Sequence, residues 1–72
     1  MNLLDPNAIG AANEAIAIMH FISGYTDALV NQKFDYQVAY KLAVMKAEQK
    51  YKDDPLYKDG WEKIQAYKKR MK

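Results

Sequence analysis

Apolar positions along this chain recur at helical spacing, and nowhere do they alternate as they would in a half-buried strand. On a wheel of 100° per residue, Ala8, Ala11, Ala12, Ala15, Ile18, Met19, Ile22, Leu29 and Val30 gather on one side of a first segment. Leu56, Tyr57, Trp61, Ile64, Tyr67 and Met71 gather on one side of the last, with Gly60 inside the stripe. The middle segment carries two stripes, Val38, Leu42 and Met45 on one side and Tyr36, Tyr40, Ala43, Ala47 and Tyr51 on another. Polar Gln37, Lys41, Glu48 and Lys52 separate them along one edge. Two apolar stripes suit the middle member of a three-helix arrangement, or a helix that turns one stripe to a second chain.

The boundaries are marked by capping chemistry. Asp5-Pro6 and Asp54-Pro55 each place a carboxylate where orphan backbone N–H groups need an acceptor, followed by a proline whose missing N–H costs nothing at a first helical position. Asp35 is a third cap, with Phe34 before it placed to staple onto Ala39. The pattern predicts an all-α fold. It is a small antiparallel three-helix bundle with helices at about 6–30, 36–52 and 55–71, in one domain covering 1–72, open to completion by a second copy. A continuous first helix would run ~37 Å against ~26 Å for the others, leaving an apolar overhang. A break at Ser23-Gly24 would remove it. Acid-before-base pairs Glu48–Lys52, Asp54–Lys58 and Asp59–Lys63 mark solvent-facing positions, each contributing ~0.2–0.5 kcal/mol.

Composition sharpens this picture. Seventy-two residues, half of them apolar and 28% charged, make one globular domain rather than a disordered chain. A core of this size rarely supplies more than ~3–5 kcal/mol without a disulfide, a metal or a partner. With no cysteine the chain forms no disulfide and holds no thiolate nucleophile or thiolate metal site, so a partner is the stabiliser left over. No stretch has the ~20 apolar residues of a membrane span, and the first residues lack a signal-peptide pattern. A cytoplasmic protein is expected, without a membrane or small-molecule partner.

Enzyme chemistry finds little to work with. His20, Ser23 and Asp27 stand in the order of a hydrolase triad, but His20 and Asp27 lie ~10 Å apart along a helix, too far for a hydrogen bond without a kink at Gly24. One histidine and scattered carboxylates do not make a zinc set, and Asp53, Asp54 and Asp59 lack the glycine and terminal glutamate of a calcium loop. No catalytic, cofactor-binding or metal-binding residue is expected.

What remains is surface. Gly10, Ala17, Gly24 and Ala28 fall nearly in one line on the polar side of the first helix, with His20 on its edge. Small residues in a row let a second backbone approach closely. Tyr36 and Tyr40 supply an aromatic face with polar tips. These seven residues are the candidate contacts of a non-enzymatic protein–protein interaction module, a small subunit, adaptor or inhibitor acting through a helical face or by self-association. Charge suggests an alternative. Residues 1–32 carry three acids and no Lys or Arg, whereas all 11 basic groups lie beyond them. Lys63, Lys68, Lys69, Arg70 and Lys72, interleaved with Trp61 and Tyr67, are then the candidates for nucleic-acid binding. A structural component of a larger assembly, such as a virus particle, is a third reading.

Overall fold

The computed structural model describes residues 5–10 and 12–70, and is all-helical over that range. Four helices follow one another: α1 (Pro6–Ile9), α2 (Asn13–Asn31), α3 (Tyr36–Tyr51) and α4 (Lys58–Arg70). The expected bundle is present, but its first helix is divided.

The division falls at Gly10 rather than at Ser23-Gly24. Asp5 caps α1 as expected, its carboxylate accepting from the Asn7 N–H at 3.0 Å. One turn later Gly10 adopts φ +78°, the left-handed conformation that glycine enters without steric cost. The chain then re-enters a helix at Asn13 and continues through Gly24 without interruption. At 19 residues α2 is ~28 Å long, so the predicted overhang is gone.

The α2–α3 turn is closed by backbone geometry. Lys33 takes φ 77°, Phe34 N–H donates to Leu29 C=O at 3.1 Å and Lys33 N–H to Val30 C=O at 3.0 Å. That is a Schellman termination, with a lysine at the left-handed position where glycine is preferred. Asp35 then caps α3, accepting from the Gln37 and Val38 N–H groups at 3.0 and 3.4 Å. Phe34 stays 42% exposed instead of closing down as a staple. Asp54 caps the next turn, its carboxylate accepting from Leu56 N–H at 2.9 Å, and regular helix begins at Lys58 rather than Pro55.

The middle helix is α2, not the one with two apolar stripes. It packs along α3 on one side and against α4 on the other, while α3 and α4 meet only at their edges. Phe21, midway along α2, packs edge-on against Tyr51 at the end of α3, ring centroids 5.5 Å apart. Ile18, Ile22 and Ile64 are the largest fully buried side chains, joined by Met19, Trp61 and Tyr67. Ile9 and Thr26 are buried although the wheel left them out; the Thr26 hydroxyl is satisfied by donating to Ile22 C=O at 2.7 Å. Val30 and Leu56, placed on apolar faces by the wheel, are exposed. Both sit near helix ends, where neighbours run out. Ala11 and Met71 lie outside the described residues.

At Gly60 two helices come close together. A Cβ there would lie 2.6 Å from Ala15 N and 2.6 Å from Glu14 Cβ, so α4 crosses the start of α2 where only glycine fits.

Candidate interaction surface

The seven candidate contact residues do not form one surface. Gly10 leaves the proposed line altogether: it ends α1, and its carbonyl accepts from Lys63 Nζ at 3.4 Å. Ala17 is half-buried and borders a hollow shared with Leu56 and Tyr57, so the α3–α4 turn already occupies its side. His20, Gly24 and Ala28 do share the exposed side of α2, and a Cβ added at Gly24 would meet nothing within 4 Å. That face is open but small and polar, with Asp27 and Asn31 beside it. The kink that would bring His20 and Asp27 together is missing, since α2 is regular from Asn13 to Asn31.

On α3 the aromatic pair is real. Tyr36 and Tyr40 stack with centroids 6.4 Å apart and planes 19° from parallel; Tyr36 is exposed and Tyr40 half-buried. Burial, and secondarily the neighbouring Tyr36 hydroxyl, raises the Tyr40 phenol above its ordinary value. Tyr51 is raised likewise by burial, then by Tyr57 and Asp54.

The more extensive feature lies elsewhere on α3. Its inward stripe is Ala39, Ala43 and Ala47, each 0% exposed, closed by Tyr51. Alanines let α3 lie close against α2. The second stripe, Val38, Leu42 and Met45, points the other way and is 47, 37 and 59% exposed. A groove of about 290 Å³ beside it is lined by Tyr40, Lys41, Val44, Met45 and Lys68, bringing the end of α4 up to one edge of the stripe. These three aliphatic residues were absent from the sequence-derived contact set. The signal for them was size: a helix with alanines on one side and Val, Leu and Met on the other packs closely through the alanines.

The basic residues of α4 are dispersed. Lys63 reaches to Gly10, Lys68 lines the α3 groove, and Lys69 and Arg70 are exposed on further sides; Lys72 lies outside the described residues. Trp61 and Tyr67 are 6 and 5% exposed, so neither offers a ring for a base to stack on. Among the described residues no group of three or more His, Asp or Glu could hold a metal ion, and no helix is long and apolar enough to cross a membrane.

Comparison with known families, curated proteins and solved structures finds no match to this chain. The fold is that of a small helical bundle, and function has to be argued from its surface.

Proposed function

We propose that this chain is a non-enzymatic protein–protein interaction module, a small subunit, adaptor or inhibitor of the cytoplasm, and that its contact surface is the outer side of α3. The observation that supports this is the exposure of Val38, Leu42 and Met45 in one helical line, on a protein small enough to need every buried apolar group it can find. Scattered exposed aliphatics are ordinary on any surface; three in register on one helix are the anchor pattern of helix-mediated recognition. Tyr40 borders the groove beside this stripe, and Tyr36 stacks on Tyr40. Against the nucleic-acid alternative, Trp61 and Tyr67, the rings interleaved with its cations, are buried, and the described basic residues of α4 are dispersed.

Site-specific photo-crosslinking tests the proposal. A photoreactive residue at position 42, introduced in the full chain inside the producing cell, should give a discrete crosslinked protein band. The same residue at exposed Glu62 on α4 should not. Equal labelling at both positions, or none at 42, would contradict the assignment.

A further inference from the structure

The charges that border the outer stripe of α3 say which partner it fits. Val38, Leu42, Met45 and Gln49 are spaced four, three and four residues apart, the alternation of a two-helix seam. Lys41 and Glu48 border this seam on one side and Lys46 on the other, where the same register also passes through buried Ala39 and through Asp53 in the turn after α3. If two copies of α3 pair in parallel, each flank meets the opposite flank five residues on: Lys41 faces Lys46 and Glu48 faces Asp53, like charge against like. If they pair antiparallel, each flank meets itself. With Leu42 opposite Met45, Lys41 then faces Glu48 of the second copy, twice by symmetry, and Lys46 meets no like charge, because the position it would pair with is Ala39, buried against α2. The same register brings Asp35 to Lys52 at either end. Lys68, beside Met45 and Lys41 in the groove, adds positive charge where Glu48 of the second copy arrives.

We infer that the outer side of α3 is a self-association surface, closed by a second copy of this chain in antiparallel, two-fold register. This rests on the interaction reading above and narrows it to one partner. Isologous pairing of one patch with itself is also the commonest way soluble chains associate. Four seam positions per helix make a contact at the small end of stable interfaces, so the dimer should form at concentrations on the order of micromolar rather than nanomolar.

Sedimentation equilibrium of the full chain over a wide concentration range, with circular dichroism confirming helicity, tests this. The unaltered chain should show a reversible monomer–dimer equilibrium, and Leu42→Glu should weaken it by more than roughly tenfold. Lys41→Glu and Glu48→Lys, both at exposed positions, should each weaken it roughly three- to tenfold, because each sets like charges across the seam. Mixed together, those two variants should associate better than either alone, since every cross-pair is then attractive. Strengthening by Lys41→Glu alone would overturn the antiparallel register, and a dimer indifferent to all these changes would place the contact elsewhere. A strict monomer whose position-42 probe captures a different protein would overturn self-association and leave the interaction reading standing; a strict monomer with no capture would remove both.

Discussion

The two sides of α3 are both apolar, yet they meet opposite fates. The inner side is built of Ala39, Ala43 and Ala47 and is fully buried against α2; the outer side, built of the larger Val38, Leu42 and Met45, faces outward. By transfer free energy alone the arrangement is inverted, since burying Val, Leu or Met gains ~1.5–3 kcal/mol each and alanine far less. Close packing accounts for the inner choice, because small side chains bring two helix backbones together and increase contact along their whole length. It does not account for the outer one. Large aliphatics kept in register on a free face make physical sense when something else covers them.

The comparison can be broken or sharpened by substitution. The largest effect is expected beneath the inner side, where Trp61→Ala should cost ~3–5 kcal/mol in a denaturant melt of the full chain, emptying a site that α2 and α4 share. A melt left untouched would mean that the core does not extend to α4. Next comes a direct contrast between neighbours. Ala43→Leu adds bulk where α3 touches α2 and should cost ~1–3 kcal/mol, whereas Leu42→Ser, one residue away, should change the stability of the dilute monomer by less than ~0.5 kcal/mol. Equal losses would erase the distinction between the two sides.

Smaller effects follow. Lys33→Gly should stabilise the chain by roughly 0.5–1 kcal/mol, because the left-handed turn before α3 holds a residue with a Cβ at φ 77°. The inner side should also carry an alkaline signature. Tyr51 is buried and its phenol raised above the ordinary value of 10.0, so above that pH the unfolded chain releases its proton first. Stability is therefore full below about pH 10 and falls as pH rises through the folded-state value. Thermal midpoints should drop over that range, and Tyr51→Phe should reduce the drop.

Much of the fold was legible from capping chemistry. Asp5 and Asp35 cap the helices they were expected to cap, Asp54 caps a turn ahead of α4 rather than a helix beginning at Pro55, and Ile18, Ile22, Trp61, Ile64 and Tyr67 are buried as their spacing predicts. The misplaced division and the misassigned middle helix share one cause, which is that helical periodicity cannot tell where a glycine leaves the helix or which helix lies in the middle. Gly10 fits the wheel of a long first helix as well as it fits a left-handed turn; the turn wins because it lets α1 fold back beside α2 and α4. The close approach expected along Gly10, Ala17, Gly24 and Ala28 occurs instead at Gly60, whose place inside an apolar stripe was visible in the sequence. The contact surface was half legible. Both stripes of α3 could be read, but assigning the inner one required knowing that α2 supplies alanine-sized space.

The most direct test uses two methionines that differ in surroundings. Met19 is 3% exposed in the core and Met45 is 59% exposed on the outer side of α3. Their methyl NMR signals can be followed in the presence of a soluble paramagnetic agent, from dilute to concentrated samples of the full chain. The proposed self-association predicts that Met45 is strongly broadened when dilute and becomes protected on concentration, approaching Met19, which stays protected throughout. A Met45 signal that remains fully accessible at the highest concentration would contradict the self-association of this face.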